Sequence, residues 1–509
     1  MAHERVARRT DELVIGFVGA IGAGVSTTAE LLRKELTDTY GYRVEIIRVS
    51  DIIREYASRH LKRNDVSAHG VERITGLQEC GTELRRRFGP SYLAEKIVEE
   101  IHYRRSKKDD GFEEISGSDL RRPKTLRVAR IVDSLKRPEE SRLLEDVYGG
   151  AYWQFTIFAP KTVRKNRLMR QGIETSGLGN IFDRDENDIE NKHGQSVRDT
   201  ALLSHFFIRN DGNNSLIDVI KRHLQLIFGI GVETPTRHEA GMHAAFSAMT
   251  RSACLSRQVG AAVFSESGEL LGIGWNDVPR YGGGLYINEN PNNMDNRCYI
   301  WRDRMCHNDF RKNKLIDNIV KNICEAINTD SLKIDDSELK EKLRNILKGT
   351  HLWHITEYSR AIHAEMEAIL SCARNGNKSL VGGTLYTTTF PCHNCARHIV
   401  AAGIKKVYYV EPYEKSLALE LHNDAISTTQ DSGNSNKVLF LQYEGVGPRR
   451  MTQLFTASQR RKNTSGKVCS MDPKQAKPIL AQPIDGFTTH EKRVIERLHN
   501  NETSANGRD

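Results

Sequence analysis

The sequence predicts an α/β protein of two bodies in tandem, followed by a polar tail. Three observations carry this. An apolar run from Leu13 to Gly19 passes through a glycine-rich segment into the amphipathic stretch Ala29 to Leu36, the strand, loop and helix order that begins a parallel sheet. After Gly229-Ile230-Gly231 and Pro235 the pattern restarts with a helix and a strand pair. Farther on, Ile362-His363-Ala364-Glu365 and Phe390-Pro391-Cys392-His393-Asn394-Cys395 place metal-ligating residues at two strand–helix junctions.

At 509 residues the chain can bury two or three full cores. Its 75 basic and 66 acidic residues are interspersed, and the net charge of +9 suits anionic small molecules without demanding a nucleic-acid groove. No apolar leader and no run near the ~20 residues of a membrane span are visible, so a cytoplasmic protein without membrane contact is expected. Nine irregularly spaced cysteines form no disulfide framework.

In the first body, Gly19-Ala20-Ile21-Gly22-Ala23-Gly24-Val25-Ser26-Thr27 can close backbone N–H groups around a phosphate, aided by the positive end of the next helix. Val25 stands where such loops carry the Lys that reaches the outer phosphates, while Ser26 is kept for Mg²⁺. Val128 to Asp133 reads as a strand with an acidic end, Trp153 to Phe158 as a strand leading into the basic helix Lys161 to Arg170. With Asp183 to Gln195 as a lid and His205 to Gly212 as a last strand, residues 11–232 resemble the P-loop nucleoside monophosphate kinase and dephospho-CoA kinase family. Three readings stand: a kinase, which Val25 disfavours; a scaffold; and a regulatory domain binding a (deoxy)nucleotide with Mg²⁺ through Gly19, Gly22, Gly24, Ser26 and Thr27, which the retained loop favours. Arg104 to Arg122 reads as a polar surface loop, and Arg85-Arg86-Arg87 as a solvated helix face.

In the second body, expected over 236–445, His363, Cys392 and Cys395 supply three zinc ligands and leave a fourth tetrahedral position open. Placed at helix starts, the thiolates gain from the helix dipole, and Glu365 can carry a proton beside the metal. H-x-E followed by P-C-x-x-C is the established signature of zinc nucleobase deaminases, in which activated water attacks the ring carbon bearing the amine. A structural zinc site would instead need a fourth protein ligand, and none as well placed stands beside these three.

These motifs stand in order with Ser256-Arg257-Gln258-Val259-Gly260-Ala261 and with Gly272-Ile273-Gly274-Trp275-Asn276-Asp277-Val278-Pro279. In that order they resemble the deoxycytidylate deaminase family. The resemblance implies a cytidine-deaminase-like α/β/α fold and zinc as cofactor. It implies Asn276 at the sugar, the backbone of Ala364 at the pyrimidine, and Arg257 and Lys415 facing phosphate. Each has a plainer reading: Asn276 as a turn residue, Arg257 and Lys415 as ordinary surface cations. Cys298, Cys306 and His307 are three irregularly spaced candidates for a second zinc, one ligand short. Lys312 to Lys348 reads as solvated helices, and the tail from 446 to 509 as polar and disordered at its end.

A kinase-like body joined to such a deaminase is similar to the bacterial anti-phage deoxycytidylate deaminases. That likeness implies conversion of dCTP or dCMP to deoxyuridine nucleotides, a homo-oligomer such as a hexamer, and restraint by an inhibitory RNA. Two other functions compete: a base editor of single-stranded nucleic acid, which needs aromatic platforms that a 7% aromatic content does not cluster near the site, and a non-catalytic nucleotide sensor, which has no use for Glu365.

Overall fold

A computed structural model describes residues 10–63, 66, 69–107, 112–114, 121–123, 125–173, 178–187, 193–212, 215–289, 295–327, 336–355, 357–376, 379–413, 416–429, 436–457, 460–480 and 484–506. The chain divides into two compact units, Met1–Glu239 with Glu444–Asp509, and Ala240–Tyr443.

The first unit begins β1 (Leu13–Gly19), α1 (Val25–Asp38), β2 (Arg43–Arg48), α2 (Val49–Leu61), α3 (Gly70–Phe88) and α4 (Tyr92–Lys107). A hairpin of β3 (Phe112–Glu114) and β4 (Arg121–Pro123) precedes β5 (Val128–Leu135), α5 (Pro138–Tyr148), β6 (Tyr152–Phe158), α6 (Lys161–Arg170) and α7 (Leu178–Asn187). Then come α8 (Val197–Ala201), β7 (Phe206–Arg209) and α9 (Leu216–Phe228). Five parallel strands stand in the order β2-β5-β1-β6-β7. β1 is apolar throughout because both its faces are covered. Leu13, Ile15 and Phe17 pack with α1 and α9, while Val14 and Val18 pack with α2 to α5. The chain leaves β1 for one edge and returns to build the other, so the loop after Gly19 sits at a topological switch point, where open α/β sheets place ligands.

Two expectations are corrected here. Arg85 is not on a solvated face: it is buried and paired with Glu140 at 2.8 Å, and only its neighbour Arg86 is exposed. The stretch from Arg104 is helical through Lys107, with Arg105 buried against Glu12 at 2.8 Å, and Phe112–Glu114 pairs with Arg121–Pro123.

The chain enters the second unit along α10 (Arg237–Met249), followed by β8 (Gly260–Phe264), β9 (Leu270–Trp275), α11 (His307–Ile327), α12 (Asp336–Lys348), α13 (Ala364–Arg374), β10 (Thr384–Thr389), α14 (His393–Ala401), β11 (Lys406–Glu411), α15 (Ala418–Leu421), β12 (Ile426–Ser427) and β13 (Val438–Gln442). The sheet order is β12-β13-β11-β10-β8-β9, parallel from β12 to β10 and antiparallel beyond. Glycines in β9 let α13 lie directly on the sheet: a Cβ on Gly274 would stand 2.2 Å from the Ala364 carbonyl oxygen, and one on Gly272 2.5 Å from Ser371 Oγ. The helices expected to be merely solvated, α11 and α12, share a small core of Ile316, Val320 and Cys324 with Leu339, Leu343 and Trp353.

After Tyr443 the chain rejoins the first unit. β14 (Gly445–Val446) pairs antiparallel with β7, α16 (Met451–Phe455) packs with α9, and α17 (Ile484–Asn506) follows. The expected polar tail is therefore corrected. Ile484, Phe487, Val494 and Leu498 of α17 are buried in the core of α3 and α4, and Arg105 pairs with Glu491. Their helical spacing is diluted by polar residues, which hid it.

Candidate metal centre and glycine loop

Two helix starts meet in the second unit. His363 is the N-cap of α13 and Cys392 the N-cap of α14, with Cys395 in the first turn. The β9 glycines set the height of α13, and a bridge between Asp277 and Ile362 fixes the residue before His363. Asp277 is a positioning residue that the sequence reading passed over: its buried carboxylate accepts the N–H groups of Ala253 and Val278, and its carbonyl accepts that of Ile362 at 3.0 Å. Its place inside Asn276-Asp277-Val278-Pro279 was the available signal.

The result is a cluster. His363 Nδ1 lies 3.3 Å from Cys392 Sγ and 3.3 Å from Cys395 Sγ, and the three donor atoms all fall within 4.8 Å of one another. Glu365, 4% exposed, reaches within 3.4 Å of Cys395 Sγ. The hydrogen bond from Cys395 holds Cys392 far below the ordinary thiol range, at about 4, and the bond to Cys392 lifts His363 to about 9. Cys395 is pushed well up by sharing its proton with Cys392, and burial raises Glu365 above the usual carboxylate value. Two sulfurs and one imidazole nitrogen converging from three sides suit a tetrahedral zinc ion with one position left for solvent. Among the described residues this is the one such cluster. Cys298, Cys306 and His307 line a small enclosed cavity with Cys254, but their ligand atoms do not converge to that degree.

The other residues expected at the substrate are arranged less openly. Ala364 is fully buried as the first residue of α13. Asn276 accepts from the Val259 N–H at 2.7 Å and donates to the Arg257 carbonyl at 2.7 Å, so its amide staples the strand edge. Arg257, half exposed, pairs with Glu411 at 3.0 Å. Lys415 lies outside the described residues.

In the first unit the glycine loop joins β1 to α1, with Gly22 at φ 77° and Gly24 at φ 91°, conformations that glycine adopts freely. Two of its polar groups are engaged by acidic side chains. Ser26 Oγ donates to Asp133 at 2.8 Å, and Asp185 of α7 accepts the Ile21 N–H at 2.6 Å. Lys136, just beyond β5, donates to the Gly19 carbonyl at 2.9 Å and to Asp185 at 2.7 Å. Thr27 is exposed at the start of α1. Lys136 and Asp185 were not singled out from the sequence, since both come from elements distant in the chain.

The description "Cytidine and deoxycytidylate deaminase zinc-binding region" matches residues 235–411. A deoxycytidylate deaminase of enterobacteria phage T2 is 32% identical over 174 residues, 34% of this chain and 78% of that protein. The chain belongs to the deoxycytidylate deaminase family. The members of this family are hydrolytic deaminases, and their zinc-binding region here contains the whole His363, Cys392 and Cys395 cluster. The corresponding enzyme of phage T4 is 45% identical over 75 residues, 14% of this chain and 38% of its own length. A solved dCMP deaminase of cyanophage S-TIM5, in complex with dCMP and dUMP, is 19% identical over 42% of this chain and 99% of its own, at a TM-score of 0.23, too low to weigh. Among the described residues no helix is long and apolar enough to cross a membrane.

Proposed function

We propose that the protein hydrolyses the 4-amino group of deoxycytidine nucleotides, dCMP, dCTP or both, giving deoxyuridine nucleotides and ammonia. The observation that carries this reading is the buried Glu365 carboxyl beside a His363, Cys392 and Cys395 cluster at two helix starts. His363, Cys392 and Cys395 would hold zinc, which supplies the Lewis acidity that activates water at neutral pH. Glu365 moves the protons: it takes one from the attacking water and delivers it to N3 of the cytosine, then takes the proton of the new C4 hydroxyl and hands it to the departing amine, so that a C4 carbonyl forms as ammonia leaves. Burial raises it above the usual carboxylate value, which suits a group that must both accept a proton and return it. The position of Ala364 at the start of α13, next to His363, supports its backbone as the group beside the ring, and half-exposed Arg257 is a candidate for phosphate once drawn from Glu411.

The first unit is read as a regulatory nucleotide-binding body. Its loop at the switch point, with Ser26 beside Asp133, supports binding with Mg²⁺, and Val25 in place of Lys argues against phosphoryl transfer. Depletion of deoxycytidine nucleotides during phage infection is the biological role that best joins the two units.

The test is incubation of the purified protein with dCMP, dCTP, CMP and CTP, with Glu365→Ala as control. Conversion of the deoxy substrates alone, absent in the variant, is expected; conversion by Glu365→Ala at the wild-type rate would remove the mechanism. Plating phage on cells that express either protein tests the role, with protection expected only from the active form.

A further inference from the structure

We infer, on the reading of deoxycytidine nucleotides as the substrates, that Glu411 is the resting counter-ion of Arg257 and sets how tightly the deaminase site holds a nucleotide. A 5′-phosphate takes its place on the guanidinium, and Glu411 returns to it as the product leaves. Glu411 is thus a positioning residue, acting on the nucleotide through Arg257.

The sheet of the second unit brings this pair to the metal cluster. β8 and β11 flank β10, and β10 runs at its end into Phe390, Pro391 and the ligand Cys392. At that end Gly260, the first residue of β8, donates its N–H to Thr388 Oγ1 at 3.1 Å, and Glu411, the last residue of β11, lies opposite Thr389. Arg257, just before β8, and Glu411 therefore meet across the end of the strand that delivers Cys392, with Arg257 Nη2 3.0 Å from Glu411 Oε1. The carboxyl ends of parallel strands are where α/β sheets place ligands.

The two partners are held unequally. The other carboxylate oxygen of Glu411 accepts from Thr389 Oγ1 at 3.1 Å, and its carbonyl accepts the Phe390 N–H at 2.7 Å, so Glu411 is anchored to the residues that lead to Cys392. The backbone of Arg257 is fixed by Asn276, whose amide donates to the Arg257 carbonyl and accepts the Val259 N–H, both at 2.7 Å. Its side chain is freer: it is 45% exposed, against 20% for Glu411, and its guanidinium carbon lies 6.0 Å from the centre of the Tyr413 ring. A half-exposed ion pair contributes little stability, whereas a phosphate offers the guanidinium a bidentate, charge-assisted partner. Exchange on Arg257 is therefore easy, and the anchored carboxylate left beside the phosphate repels it. Neutralising Glu411 should then raise affinity in step with ligand charge, and a nucleoside, which brings no anion, should not respond.

The experiment is calorimetric titration of the full-length, zinc-loaded protein with dUMP, its singly charged 5′-methyl ester and deoxyuridine, with KM and kcat for dCMP measured alongside. Glu411→Gln keeps the size of the side chain and an acceptor for Thr389. It is expected to tighten dUMP about three- to tenfold, the methyl ester less and deoxyuridine not at all, and to lower KM for dCMP by a similar factor. Arg257→Gln is expected to weaken dUMP about tenfold and to leave deoxyuridine unchanged. A merely structural role of Glu411 would move all three ligands alike. That result, unchanged or weaker dUMP binding by Glu411→Gln, or wild-type dUMP binding by Arg257→Gln would overturn the exchange, while conversion of dCMP kept the proposed function intact. If the wild type neither converts dCMP nor binds dUMP, both fall.

Discussion

The metal cluster and the glycine loop both place chemistry at helix starts, yet their polar groups point in opposite senses. In the second unit the ligand atoms of His363, Cys392 and Cys395 converge beside Glu365, and among the described residues no fourth ligand joins them. In the first unit Ser26, Ile21 and Lys136 are already engaged by Asp133, Asp185 and Gly19. One arrangement gathers its donor atoms against one another, and the other has individual groups held by acidic side chains from distant elements. The difference teaches that a motif fixes where groups stand, while tertiary partners decide whether those groups are free to act.

The sharpest way to break this comparison is Glu365→Gln. Loss of the proton carrier is expected to lower deoxycytidylate turnover by about 10²–10⁴-fold while zinc content, read by elemental analysis, stays at the wild-type level. Cys395→Ala is the complement: metal is lost along with activity, and retention of full metal would mean that the ligand set lies elsewhere. Next in size is Leu498→Ala in α17, a fully buried side chain whose truncation is expected to cost about 2–5 kcal/mol in chemical denaturation of the first unit. A change near zero would show that α17 does not belong to that core.

Asp185→Ala addresses the glycine loop directly. Removing the carboxylate frees the Ile21 N–H and leaves Lys136 without its anionic partner, so tripolyphosphate is expected to bind about tenfold more tightly than to the wild type. Unchanged affinity would mean that the loop is not held shut by α7. The smallest effect concerns His223, buried against Phe155 and Phe206 with Glu239 and Arg222 as its charged neighbours. Burial pushes its imidazole down to about 3, below the ordinary 6.5, so the folded chain resists a proton that the unfolded chain accepts. The stability this contributes is full above about pH 6.5 and is lost as pH falls from there toward 3, at up to about 1.4 kcal/mol per pH unit. Thermal melting from pH 7 to 5 should show that slope, and His223→Leu should flatten it.

Much of the candidate site was legible in the sequence because its residues are local to two short segments. His363 with Glu365, and Cys392 with Cys395, need only a helix start each to be aimed. Asp277 and the β9 glycines were not legible as positioning elements, since their effect depends on which strand carries α13. Of the first unit, β1, β6 and α6 could be read from apolar runs and a basic amphipathic stretch. Arg85 could not, because a charged residue is buried only when a partner such as Glu140, from another helix, comes to meet it. The same holds for α17, whose four buried apolar positions are separated by enough polar residues to read as solvent-facing chain.

The first unit is assembled from two stretches of chain with the whole deaminase unit between them. During synthesis the catalytic half therefore leaves the ribosome, and can fold, before β14 and α17 exist to complete the half that began emerging earlier. A protein translated only as far as Tyr443 would contain every residue of the metal cluster and none of the helix that finishes the first core. Interrupted translation or C-terminal clipping would thus leave every residue of the metal cluster in the chain while the first core stays unfinished.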